Sequence, residues 1–459
     1  MKTVIYRFYL LLLIGLFVVS PVARAQTVQN QATGDLPNPF QVLLKYTKQN
    51  NYITPIVELK AGEEKYFTSP VWKEAYLEMM ILLQSYVGDY SEAFRYEDIL
   101  YKSSTANVNA IKASGKEITD INDSPIAGYK MLDALTAIES AADSQQVIMI
   151  NEEHRTPHHR AVTLQLLARL YAKGFRYFAA ETLADADTDL KERGYPTQAT
   201  GFYTADPLFG DIVRTALRLG FKVVPYEYPT AKIIECSKNQ NPQLFCSNER
   251  ERGQAQNLYD RILKNDPQAK IFVHVGRGHN SKSGNDKFSF MAKYFQEIAG
   301  INPFTVDQTL FSERRDTAYE QPLYRFLTKN NMLRQPSVFQ SAKGGFYIPD
   351  AGYDMQIFHP RITYKDGRAT FLQMNGLRRT EKINLKKLKL KANKNLFGGN
   401  DPVLIQALYT QESEDAVPVD QIILYPNKEI PVLMLPKGNF RIRVINKEGK
   451  ILSQYDKGT

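Results

Sequence analysis

Three of the six histidines in this 459-residue chain lie within nine residues, Asn151-Glu152-Glu153-His154-Arg155-Thr156-Pro157-His158-His159. An imidazole changes charge near neutral pH, so beside a carboxylate it can move a proton or hold a metal. Two chemistries fit these residue types. In one, His154 removes a proton from water and a carboxylate such as Glu181 orients it. In the other, His154, His279, Glu152 and Glu181 hold a divalent ion (zinc, manganese or iron) that lowers the pKa of its bound water. The second half of the run has a plainer reading. Thr156 suits an N-cap and Pro157 a first helical position, which accounts for His158 and His159 without chemistry. NEEH has no such account.

Side chains of this kind need elements to bring them together. Val147 to Ile150 reads as a buried strand, followed by a helix from Pro157 that stops at Gly174. Arg176 to Ala180, Phe221 to Tyr226, Ala269 to Val275 and Pro303 to Val306 read as four more strands. Helices are predicted over Pro207–Leu219, Glu249–Lys264 and Lys287–Ala299. This alternation predicts an α/β fold with a largely parallel sheet flanked by helices. In such sheets ligands bind beyond the carboxyl ends of the strands. Glu152, Glu153 and His154 follow the first strand, Glu181 the second and Glu227 the third. The fourth contains His274 and runs into Gly276-Arg277-Gly278-His279. Ionisable residues at all four ends, with five of the six histidines among them and their neighbours, predict one site. There is no G-x-S-x-G elbow, no full G-x-G-x-x-G and no activated cysteine, which leaves water as the nucleophile for a hydrolysis.

In order and spacing these motifs resemble the superfamily that unites erythromycin esterase-like and ChaN-like haem-uptake proteins. Glu152-Glu153-His154 with Pro157 and His159 is similar to the ChaN-like form GExHxxPxHH. FAAE, ending at Glu181, resembles the second element. Arg250 to Asn257, RERGQAQN, resembles the esterase-like RDxxMAxN, and VHVGRGHN through His279 resembles the last. The resemblance covers about residues 145–310. Asn151 stands for the usual glycine, Arg160 for the final histidine of the first motif, Glu251 for an aspartate and Gln254 for a methionine. It implies a hydrolase in which the histidine beyond the first strand activates water, or a haem- or iron-binding protein. Related secreted members are metal-dependent peptidases.

The roles follow from these readings. His154, Glu152, Glu181 and His279 are the expected catalytic residues. Arg250, Glu251, His159, His274 and Glu227 are the expected substrate-binding residues, with Arg250 and Glu251 suited to an anionic group. His274 has a second reading as a core residue, and His359 is read as structural. The expected activity is hydrolysis of an ester or amide in a small molecule or peptide. Haem or iron binding without turnover is the alternative. A third reading places ligand binding in the C-terminal β region.

Composition sets the frame. Hydrophobic residues make up 43% and charged residues 23%, ordinary for a globular protein. Lys2 and Arg7, the apolar Tyr9 to Ser20 and then Ala23-Arg24-Ala25 form the layout of a signal peptide over residues 1–25. The expected location is therefore periplasmic or secreted, with no stable membrane span after cleavage. Cutting there removes Lys2, Arg7 and Arg24 and no acids, lowering the formal charge of +9 by three, to +6. Much of the excess lies in Arg378 to Lys394, a run without aromatics, so no nucleic-acid partner is expected. Cys236 and Cys246 could close a small loop in an oxidising compartment. Residues 26–145 read as mostly helical, 146–379 as the α/β domain and 380–459 as a small antiparallel sandwich. The sequence leaves the oligomeric state open.

Overall fold

The computed structural model describes residues 36–103, 117–236, 242–388, 401–426 and 428–458. The signal-like residues 1–25 and the basic residues 389–394 lie outside them. Among the described residues, no helix is long and apolar enough to cross a membrane.

The N-terminal part is helical, as its apolar spacing predicts: α1 (Pro39–Thr47), α2 (Ile53–Ala61), α3 (Glu63–Thr68), α4 (Lys73–Tyr86) and α5 (Tyr90–Ser103). Within the residues 26–145 that read as mostly helical, the structure differs just before residue 134. Gly128 adopts a positive φ of 75°, and the chain then extends as a strand, β1 (Lys130–Asp133). The side chain of Asp133 accepts from the Thr136 amide at 2.8 Å and starts α6 (Ala134–Ala141). Both elements belong to the central layer, because Ala134, Leu135 and Ile138 share a core with Ile148 and Ile150.

Among the described residues the central sheet has eight strands: β1, β2 (Val147–Glu152), β3 (Tyr177–Ala180), β4 (Lys222–Pro225), β5 (Ile271–Gly276), β6 (Phe304–Phe311), β7 (Ser337–Gln340) and β8 (Met355–Phe358). Their spatial order is β1-β7-β8-β6-β2-β5-β3-β4. From β8 to β4 every pairing is parallel, whereas β7 runs antiparallel to both β1 and β8. The short apolar runs of β2 and β5 are buried at every position, because helices cover both faces of a parallel sheet. A Leu or Ile buried this way contributes about 1.5–3 kcal/mol. α7 (Pro157–Ala172) and α8 (Pro207–Leu219) cover one face. α9 (Pro242–Leu258) and α10 (Met291–Ala299) cover the other. α9 begins earlier than its apolar spacing suggests, and Cys246 in its first turns is disulfide-bonded to Cys236.

The C-terminal region is antiparallel and all β. β9 (Arg379–Glu381) pairs with β12 (Leu433–Leu435). β10 (Val403–Tyr409), β11 (Asp420–Leu424), β13 (Asn439–Ile445) and β14 (Ile451–Gly458) form a sheet ordered β11-β10-β13-β14. The expected second sheet of a sandwich is largely replaced by helices. Leu404, Ile423 and Ile445 pack with Tyr52, Tyr76 and Leu83 of the N-terminal part, while Val403, Ile405 and Ala407 face the β9–β12 side. Buried ion pairs lock the region to the α/β domain. Arg214 grips Glu412 at 2.7 and 2.6 Å, and Arg368 grips Asp420 at 3.0 and 2.6 Å.

Candidate functional site

Strand register aligns the charged residues. β5 lies between β2 and β3, with Glu152 opposite Gly276 and Ala180 opposite His274. Glu181 and His154 follow directly beyond these ends. The residues therefore meet because neighbouring parallel strands stop at the same level.

His154 and Glu152 form a dyad, with His154 Nδ1 2.8 Å from Glu152 Oε1. Glu152 is fully buried, and Arg160 of α7 grips it through Nε at 2.6 Å and Nη2 at 2.8 Å. His274 Nε2 lies 3.2 Å from the second carboxylate oxygen as an ion-pair contact, and Thr163 Oγ1 is 3.1 Å from its Nδ1. Burial opposes ionisation of Glu152, but Arg160, His274 and His154 outweigh it and hold the carboxyl well below its ordinary range. Arg160 also donates to the His154 carbonyl at 2.7 Å and pairs with Asp206, which caps α8. The His154 ring stacks on Tyr203 with centroids 3.8 Å apart, and its side chain keeps 16% of its surface exposed. A carboxylate at Nδ1 and an aromatic ring on one face fix the imidazole, so Nε2 is the atom left for chemistry.

The second half of the site centres on Arg250. Its guanidinium donates to Glu181 at 2.5 Å and to Glu227 at 3.0 and 2.5 Å, and its Nη1 lies 3.2 Å from His279 Nε2. His279 Nδ1 is 2.7 Å from Glu251, whose other oxygen accepts from the Met291 amide at the start of α10. Burial would lower the His279 pKa, yet Glu251 and Glu181 together raise it. Burial would likewise raise that of Glu181, but His279, Arg250, His154 and the Gly276 amide hold it far below normal.

Gly276 joins the two halves. A Cβ there would lie 2.5 Å from His154 Nε2 and 2.7 Å from Glu181 Oε2. Those two atoms thus share the space above the Gly276 backbone, which a side chain would fill. Gly278 has a different reason to be glycine, a φ of +90° in the turn that brings His279 back.

Seven residues singled out in the sequence therefore meet in one network: Glu152, His154, Glu181, Glu227, Arg250, Glu251 and His279. His274 and His159 were expected at the substrate and lie instead behind the site. His274 supports Glu152 from inside the sheet. His159 is buried, its Nδ1 accepting from the Glu153 amide at 3.1 Å and its Nε2 lying 2.8 Å from Ser312 Oγ. The four-residue metal set is not open as found, because both Glu152 oxygens and both His279 nitrogens already have protein partners. Sequence reasoning missed Tyr203, Asp206 and the importance of Arg160. Asp206-Pro207 is a readable helix start, and Arg160 was visible as a departure from the motif. Nothing local pointed to Tyr203.

No family model and no curated protein matches the chain. Among solved structures it is similar to the type III effector HopBA1, with a TM-score of 0.31 and 15% identity over 52% of this chain and 99% of that one. It is similar to ChaN of Campylobacter jejuni, a protein with cofacial haem binding, with a TM-score of 0.31 and 13% identity over 42% of this chain and 94% of that one. It is also similar to the C-terminal region of Pasteurella multocida toxin, which has a thiol-protease-like catalytic triad. Here the TM-score is 0.29 and identity 11%, over 82% of this chain and 55% of that one. At these scores the likenesses carry no weight for this chain's chemistry.

Proposed function

We propose that the protein is an exported hydrolase of ester or amide bonds, in which His154 is the general base. One observation carries this reading. The Glu152–His154 dyad at 2.8 Å directs the unbonded Nε2 into the space shared with Glu181. Glu152 keeps the Nδ1 proton in place and stabilises the imidazolium that forms. His154 Nε2 takes a proton from water as the oxygen attacks the acyl carbon. Arg250 offers positive charge to the carbonyl oxygen as it becomes an oxyanion. Collapse breaks the bond to the alcohol or amine, which leaves with the proton returned by His154. Glu181 and His279 hold Arg250 and the water in place. The order of motifs supports membership of the erythromycin esterase-like and ChaN-like superfamily. The signal-like leader supports a periplasmic or secreted location, and the Cys236–Cys246 bond suits an oxidising compartment.

The test is a panel of esters and peptides assayed with the wild-type protein and His154→Ala. Turnover by the wild type alone is expected, and equal rates would remove His154 from the mechanism. Haem titration serves as the second arm. A shifted absorption band that depends on His154, without turnover of any substrate, would replace the hydrolase with the haem-binding reading.

A further inference from the structure

His158, His159 and His359 meet in a buried cluster that the proposed hydrolysis does not use. His158 and His159 form the first turn of α7, and His359 directly follows β8. The ring centroids are 4.6, 4.8 and 4.9 Å apart. One ring nitrogen of each lies within 4.8 Å of one from each of the others. All three residues are more than nine-tenths buried. The Nε2 atoms of His158 and His359 have no hydrogen-bond partner among the described residues. A buried polar nitrogen without a partner is costly, and two in one cluster call for a ligand that satisfies both.

We infer that these three imidazoles form a binding site for a transition-metal ion of the zinc type. The place in the fold supports this. β6 and β8 run parallel to β2, so the cluster lies at the carboxyl ends of strands, the same edge of the sheet as the His154 site. The donor set defines the metal class. Three neutral nitrogens with no carboxylate suit zinc and its neighbours and exclude calcium and magnesium, which need oxygen ligands. A small cavity lined by Glu97, Arg155, Thr156, His158, Ile362 and Phe371 reaches the cluster at His158. The charges beside it are paired, Glu97 with Arg314 at 2.6 Å and Arg155 with Glu153 at 3.0 Å. His159 already has partners: its Nδ1 accepts from the Glu153 amide, which puts the ring proton on Nε2 facing Ser312, so ligation gives up the Glu153 bond at either nitrogen. Ser312 keeps its own bond to the Gln308 carbonyl at 2.8 Å. Three protein ligands leave a fourth position for water.

The test uses the full chain, stripped with a chelator and titrated with Zn²⁺ against a chromophoric competitor. One equivalent is expected to bind to the wild type and equally to His154→Ala. In His359→Gln and His158→Gln the affinity should fall by more than about 100-fold, beyond what loss of a mere supporting partner gives. Excess Ca²⁺ or Mg²⁺ should not compete. Unchanged affinity in both glutamine variants would overturn the site. Because those variants could fold poorly, crystals of the wild type soaked in Zn²⁺ provide an independent measurement. An anomalous peak between the three rings is expected, and its absence there overturns the proposal whatever the variants do.

Discussion

The strand-end site and the three-histidine cluster stand on one edge of one sheet, joined by the run from Glu152 to His159, yet their imidazoles live in opposite environments. At the strand end, His154 faces Glu152, and His279 faces Glu251 and Glu181. In the cluster, histidines face other histidines. Burial is severe at His279 and throughout the cluster, and it alone would keep those rings neutral. Carboxylates reverse that result for His279, whose pKa is raised. Nothing reverses it for His158 and His159, where burial first and the neighbouring rings second push the pKa well below normal, or for His359, where burial pushes it down to about 3. Partner chemistry, more than depth, therefore separates a proton-handling imidazole from one suited only to donate its lone pair.

The strongest way to break this comparison is to exchange the roles. If proton transfer belongs only to the carboxylate-bound ring, His154→Ala should lower hydrolysis by about 10²–10⁴-fold, the usual size of general-base catalysis. His359→Gln should leave kcat/KM within a few-fold. Parallel kinetics on the two variants decides this, and equal losses would merge the two sites into one.

Arg160→Ala should have the next largest effect, this time on stability. It leaves the buried Glu152 carboxylate without its main counter-charge, at a cost of about 3–5 kcal/mol. Calorimetry should show a clear fall in Tm.

Gly276→Ala sharpens the spatial half of the comparison. The added methyl would enter the space between His154 and Glu181, so turnover should fall by about 10²-fold while the far cluster is untouched. Overpacking should cost about 1–3 kcal/mol of stability. Wild-type activity would show that this space is not where water reacts.

The pH response is smaller and opposite in sign at the two places. His279 is raised above the ordinary 6.5, so its stabilising contribution is complete below that pH and is lost as pH rises through its folded value. His359 is depressed to about 3, so in metal-free protein stability is lost as pH falls from 6.5 toward that value. His359→Gln should flatten this acid limb of a Tm-against-pH curve, and His279→Gln should flatten the alkaline one. The smallest effect is expected for Tyr203→Phe, which keeps the ring stacked on His154. Its kcat should change less than about tenfold, whereas Tyr203→Ala should do more harm.

How much of this could be read beforehand differs by type of contact. The unbroken apolar runs of β2 and β5 marked buried parallel strands, and the residues just beyond them had to lie at one edge. That placed Glu152, His154, Glu181 and His279 near each other before any coordinates. β7 and β8 lie after residue 330 among Gly- and Pro-rich turns, with no helix between them to complete the alternation, and so went unread. β1 was hidden because Lys130–Asp133 is too short to show a period and is fixed by its pairing with β7.

The sequence by itself determined the α/β class, the strand ends and the types of side chain available there, because periodicity and caps are local properties of the chain. Only the tertiary structure decided the pairings. It placed Arg160 against Glu152, emptied the space at Gly276 for His154 and Glu181, and brought His359 onto His158 from a distant strand. Each of these depends on which elements pack side by side, and that is set by the free energy of the whole core rather than by any nine residues within it.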